Sequence, residues 1–217
     1  DDLLEPDITI GEFAMDAELS PFLRGEVLIF DMRIDKARLF ANLSKDGQLD
    51  FALRPNAPSG VETITLEKLT ITDSAIELDD KMSGRLVVVD GIEAIVSAKS
   101  MAGPWAFDGS VMFDDELFGV RGSTGEPDAK GNLALRLSIN PRNRSLLLES
   151  EGLVRLADGP PDYRGTFTLR PALLTDPGAL ALRDGEGLPT GAPAVAMPFN
   201  VKGKFEAKLD GLLFPSY

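Results

Sequence analysis

The sequence contains no cysteine and no histidine. Without thiols there are no disulfides, no thiolate nucleophile and no sulfur ligands for a metal. Without imidazole there is no Ser-His-Asp triad, no histidine acid-base catalysis and almost no zinc, copper or iron site. Few classes of enzyme survive both absences. No stretch approaches the ~20 apolar residues that a helix needs to cross a bilayer. Positive charge is also scarce: 22 Lys and Arg against 35 Asp and Glu leave a net charge of −13, which repels nucleic acid and anionic headgroups at long range. We expect no nucleic-acid partner.

What the chain does have is ordinary globular composition, 43% hydrophobic and 26% charged, in 217 residues. That is enough to bury a core, and an all-β chain of this length is often one domain. The hydrophobic residues alternate. Residues 7–19 put Phe13, Met15, Ala17 and Leu19 opposite Ala14, Asp16 and Glu18, the period of a half-buried strand. Within 26–34, Leu28, Phe30, Met32 and Ile34 read as one face, against Val27, Ile29, Asp31 and Arg33. After a bend at Asp35-Lys36, Leu39, Ala41 and Leu43 continue the pattern to a turn at Lys45-Asp46-Gly47. Ile64 and Leu66 have even parity while Leu69 and Ile71 have odd, so a β-bulge is expected near Glu67-Lys68.

The rhythm persists further along. Residues 85–99 read as a long strand interrupted at Asp90-Gly91, with Ile92, Ala94, Val96 and Ala98 on one side. Phe107, Gly109, Val111 and Phe113 share the next face, followed by a charged turn at Asp114-Asp115-Glu116 and a Gly-weakened return strand over 117–124. The cleanest alternation is Leu133, Leu135, Leu137 and Ile139 against Ala134, Arg136 and Ser138. Two more strands carry Leu148 and Val154, then Tyr163, Phe167 and Leu169, and a last one carries Phe199, Val201 and Phe205. Residues 171–198 break the pattern with repeated prolines and glycines, apart from a short helix expected over 177–183. This segment is a candidate linker or lid and is expected to be the least ordered part of the chain.

Candidate chemistry is thin. Asp79-Asp80 and Asp114-Asp115-Glu116 are acidic clusters, but glycosidase carboxylates face each other across a sugar rather than sit side by side on a turn, so solvated turns are the expected reading. Asp184-Gly185-Glu186 lacks the twelve-residue ligand spacing of an EF-hand. Gly119, Gly122 and Gly125 precede no helix that would aim amides at a phosphate. The sequons at Asn42-Leu43-Ser44 and Asn143-Arg144-Ser145 are short enough to occur by chance. We expect no catalytic residue, no metal and no cofactor. The apolar stripes have two readings: the shared core of a β-sandwich, which spacing alone favours, or the lining of an open groove.

Three stretches carry a resemblance that bears on this choice: 19–27 (LSPFLRGEV), 32–39 (MRIDKARL) with Asp46-Gly47 and Leu49-Asp50-Phe51 after it, and 64–71 (ITLEKLTI) with an expected partner at 76–80 (IELDD). In cadence over about residues 7–210 the chain resembles the bacterial AsmA family of periplasmic envelope proteins, related to TamB-like lipid-transfer proteins. The resemblance implies one all-β domain over 1–217, a long antiparallel meander forming a curved, open groove-like sheet with short helical turns. It implies a periplasmic, non-catalytic protein tethered to the inner membrane by an N-terminal anchor that lies outside these residues. The implied partner is phospholipid or another envelope lipid, and the implied role is phospholipid transfer and outer-membrane integrity. The groove lining would then comprise Phe107, Val111, Phe113, Leu133, Leu135, Leu137, Ile139, Leu148, Val154, Phe167, Leu169, Phe199, Val201 and Phe205. The alternative is a β-sandwich module that binds a protein or polysaccharide in the cell envelope.

Overall fold

A computed structural model of the chain describes residues 8–18, 26–45, 49–50, 63–155, 162–172, 200–208 and 211–213. Among these residues there is no helix, and fourteen strands form one sheet. They are β1 (Ile8–Thr9), β2 (Glu12–Glu18), β3 (Glu26–Asp35), β4 (Arg38–Leu43), β5 (Leu49–Asp50), β6 (Thr63–Asp80) and β7 (Arg85–Ala98). The second half contributes β8 (Trp105–Phe113), β9 (Glu116–Thr124), β10 (Asn132–Pro141), β11 (Leu146–Arg155), β12 (Asp162–Pro171), β13 (Val201–Lys208) and β14 (Gly211–Leu213). From β6 to β14 every strand pairs antiparallel with the next, as alternation joined by short turns dictates. The sheet is open and curved, and does not close into a barrel.

The N-terminal quarter departs from a simple meander. β3 and β4 lie end to end, and both pair parallel with β6, β3 along its first half and β4 along its second. Residues 64–71 and 76–80 are therefore not partners in a hairpin but two parts of one 18-residue strand. The short helical turns expected from the resemblance are not found among the described residues, and 177–183 lies outside them, as does 173–198 of the candidate lid.

The expected bulge at Glu67-Lys68 is present, where the β6–β7 register shifts between Leu66 and Leu69. A matching irregularity in β3 was not legible. Ile29 pairs with Leu66 and Met32 with Leu69, so Val27, Ile29, Met32 and Ile34 share a face, in place of the expected Leu28, Phe30, Met32 and Ile34. The bulge on one strand forces a bulge on its neighbour, because a one-residue slip would otherwise turn the apolar set of β3 to the wrong side.

A crease crosses the sheet at the β3–β4 junction. Lys36 (φ 53°), Asp73 (φ 44°) and Gly91 (φ 52°) are left-handed on three neighbouring lines of chain. Gly11 meets Lys36 from the outside, its N–H donating to Asp35 O (3.1 Å), where a side chain on Gly11 would strike Lys36 Cβ. Ser74, almost fully buried, stitches the crease: its hydroxyl donates to Thr72 O (2.8 Å) and accepts from the Ala37 N–H (3.0 Å). Lys36 and then Thr72 hydrogen-bond the Asp35 carboxylate and hold it below the usual carboxylate range.

The acidic clusters lie at hairpin turns: Asp114-Asp115 form one loop, while Glu116 already begins β9 and Asp79-Asp80 end β6 just before the other. Asp114 (φ 51°) and Asp115 (φ 60°) are both left-handed, the geometry of a two-residue hairpin loop matched to strand twist. Asp80 accepts from Met82 N (2.8 Å), Ser83 N (3.2 Å) and Ser83 Oγ (2.5 Å), bonds that keep its carboxyl charged below the normal range. Asp128 does the same for the turn before β10 through Asn132 and Lys130.

Ser74→Ala removes one acceptor and one donor at the crease and leaves the Ala37 N–H without its partner. We expect a loss of about 1–3 kcal/mol in urea unfolding. A change within about 0.5 kcal/mol, the usual scatter of surface substitutions, would mean that Ser74 does not hold the crease.

Candidate functional site

Side chains directly opposite one another across a ladder share a face, so the register lists which residues line each side of the sheet. One row runs Met15, Met32, Leu69, Val96, Phe107, Gly122, Leu137, Ser150, Phe167, Gly203. The next runs Phe13, Ile34, Ile71, Ala94, Gly109, Val120, Ile139, Leu148, Leu169, Val201. A third runs from Ala17, Ile29, Leu66, Ala98 and Trp105 through Thr124 and Leu135 to Gly152, Gly165 and the register position of Phe205. Each row crosses ten strands without meeting a charged residue. The bulges described above are what keep β3 and β6 in step with the rest.

The residues singled out from the sequence fall on this one face. Phe107, Leu137 and Phe167 sit in the first row, Ile139, Leu148, Leu169 and Val201 in the second and Leu135 in the third, where Phe205 has only its backbone register described. Leu133 and Val154 pair on one flank, and Val111 and Phe113 extend the other. Phe199 lies outside the described residues. Sequence reasoning had not joined the N-terminal contribution, Met15, Met32, Ile34, Leu69 and Ile71, to the lining. The same alternation marks those residues, but their parity becomes common only through the bulges and the parallel pairing.

No second layer covers this face among the described residues. No described side chain is fully buried, and the best-packed cluster, Ile29, Leu66 and Ala98 with Met32, Leu69 and Trp105 around it, consists of neighbours within the same sheet. Phe13 is 53% exposed, Met15 49%, Phe113 45% and Val201 49%. A sandwich core would bury such side chains.

Aromatic rings lie flat on the apolar face, each over glycine on a neighbouring strand. A Cβ at Gly122 would run into the Phe107 ring and one at Gly203 into Phe167; one at Gly152 would strike Arg164 O as well as the Tyr163 ring, which also covers Gly165 on its own strand. The Tyr163 hydroxyl is satisfied by Ser150 Oγ at 2.7 Å, so this row carries a ring without an unpaired polar atom. Glycine here gives the ring a seat, a device that fixes register as well as shape.

The opposite face is polar and zipped by cross-strand ion pairs: Asp108 with Arg121, Arg136 with Glu151 (3.0 Å), Glu149 with Arg170 (3.1 Å) and Asp162 with Arg155 (3.4 Å), Asp162 also meeting Arg164 two residues along its own strand (3.2 Å). The exposed pairs among them add little stability each but disfavour slipped registers, whereas the Asp162 carboxylate is buried between its two arginines. Leu86, Ile95 and Leu153 also stand exposed on this side, so the division is of charge more than of apolarity. An open hollow of about 760 Å³ lies here over β7 to β12, floored by serines and threonines between the paired charges. It was not foreseen, since no local motif marks it; most of its lining belongs to the polar face, and Phe107, Gly122, Leu137 and Ser150 of the first apolar row also border it. Its charged groups are spent on each other, and among the described residues no cluster of acidic side chains is arranged to hold a metal.

Comparison of the chain with protein-family models, with curated proteins and with solved structures finds no match.

Gly122→Val should displace the Phe107 ring and strain β9, costing about 1–3 kcal/mol, whereas Gly119→Val on the opposite face, where an added Cβ meets only Asn140 O at 3.7 Å, should cost far less. Equal destabilisation of the two variants in urea would show that the ring does not rest on Gly122.

Proposed function

We propose that the chain is a non-catalytic β-groove domain of an AsmA-like envelope protein, which holds lipid acyl chains along its apolar face. In this reading it works in the periplasm, tethered to the inner membrane, and supports phospholipid transfer to the outer membrane and the integrity of that membrane. The observation that carries the reading is the trio of charge-free rows crossing ten strands on a face that the described residues leave uncovered.

The dimensions suit the cargo. Nine steps between neighbouring strands at about 4.8 Å span about 43 Å, more than the ~30 Å hydrocarbon thickness of a whole bilayer. An acyl chain laid across the strands is desolvated by Leu, Ile, Val and Phe side chains at about 0.8 kcal/mol per buried CH₂. The low affinity per methylene and the absence of charge along each row leave no deep trap, so a chain slides as readily as it binds. The headgroup stays in water at the rim, where strand ends meet polar turns. No covalent step is involved.

The strand period supplies the test. A photo-crosslinking residue at position 135 is expected to capture lipid, while the same probe at 136, on the face where Arg136 pairs with Glu151, is not. Leu135→Asp places an unpaired charge in the lining and should lower lipid occupancy at least about tenfold, equivalent to about 1.4 kcal/mol, in a variant shown by circular dichroism to be folded. Equal crosslinking at 135 and 136, or full lipid loading of the folded Leu135→Asp protein, would contradict the reading.

A further inference from the structure

The two long edges of the sheet are unlike each other. β2 pairs only with β3, and Val201 to Phe205 of β13 pair only with β12, so among the described residues each presents an outer row of unused backbone donors and acceptors. On the apolar side β2 carries Phe13, Met15 and Ala17, and β13 carries Val201 and Gly203 before Phe205. On the polar side the signs are opposite: Glu12 and Asp16 on β2, Lys202 and Lys204 on β13, all exposed and none within ion-pair distance of an opposite charge among the described residues, with Lys36 and Arg33 the cations that act on Glu12 and Asp16 from further off.

We propose that these edges are the two halves of one interface, through which β13 of one copy of the chain adds alongside β2 of a second copy, head to tail, extending the sheet and its apolar face. Strand direction and charge together select this arrangement. β2 is antiparallel to β3, β3 is parallel to β6, and seven successive antiparallel pairings lead from β6 to β13, so β2 and β13 point the same way. A two-fold axis normal to the sheet therefore joins like edges, β2 with β2 or β13 with β13, as antiparallel pairs. Those pairings set Glu12 and Asp16 against themselves, or Lys202 and Lys204 against themselves, and like charges facing across a ladder are unfavourable.

Head-to-tail addition joins unlike edges as a parallel pair. Because the side-chain period is two, a register that keeps the apolar residues on one side puts Lys202 and Lys204 on the side of Glu12, Ala14 and Asp16, with at least one lysine facing an acid. Charge on an edge strand is a usual guard against unwanted pairing; here it guards each edge against itself and leaves it open to the other. Among the described residues the sheet stays open, so the two edges of a single copy do not pair with each other. A heterologous contact of this kind does not close after two copies. The inference rests on the edges and is independent of what the apolar face binds.

Sedimentation velocity of the whole chain over a range of concentration and salt tests it. The expected result is association that grows past a dimer with concentration and weakens as salt rises. Lys202→Glu with Lys204→Glu makes both edges acidic, and Glu12→Lys with Asp16→Lys makes both basic. Each pair of changes should weaken self-association about tenfold or more, while an equimolar mixture of the two variants should regain it. Circular dichroism establishes that both variants are folded. A chain that stays monomeric throughout, a mixture no more associated than its components, or association that stops at a dimer would overturn the proposal. So would association that strengthens with salt and ignores the charge reversals, which would mean that apolar faces stack on each other.

Discussion

The structure depends on keeping one parity across many strands. A single sheet with one apolar side has no second layer to correct a mistake, and a slip of one residue anywhere would turn a whole strand of leucines and valines to the charged side. The register is therefore held redundantly. Cross-strand ion pairs hold it on the polar face, aromatic rings seated on glycines hold it on the apolar face, and paired bulges in β3, β6 and β7 compensate where the chain gains a residue.

That arrangement has an energetic cost. Most of the apolar side chains remain partly exposed, so stability comes from neighbour-to-neighbour contacts along the sheet and from the backbone ladder rather than from a central core. Fold and candidate function conflict here in the way that binding surfaces often do: the apolar area that would stabilise a sandwich if covered is the area that a hydrophobic ligand would use. The crease stitched by Ser74 and Asp35 bends the N-terminal quarter without interrupting β6, so the apolar rows pass from β7 into β3 and β2 without a break.

Much of this was legible in the sequence, because period two is a local signal. Strands from 85 to 171 fall within a few residues of their expected bounds, and among the described residues the apolar positions singled out in β8 and β10 to β12 share a face as their spacing indicated. The bulge at Glu67-Lys68 was legible since apolar parity changes there. Its counterpart in β3 was not, because Val27, Leu28, Ile29 and Phe30 are all apolar and fit either phase. The continuity of β6 was hidden because 64–71 and 76–80 read as two partnered strands, whereas Thr72-Asp73-Ser74 between them lies within one strand whose left-handed Asp73 is held by Glu93. Parallel pairing of β3 and β4 with β6, and the polar hollow across six strands, have no local signature at all. They arise from which strands are neighbours, a property that alternation does not encode.

The central claim is that the apolar face is left uncovered by protein and is occupied instead by hydrocarbon. Solvent extraction of the purified protein followed by mass spectrometry, alongside native mass spectrometry of the intact complex, addresses it most directly. The account predicts phospholipid released from the wild-type protein, with native masses showing bound lipid. Protein that is free of lipid as purified, takes up none from phospholipid vesicles and leaves an environment-sensitive hydrophobic dye unbound would contradict it.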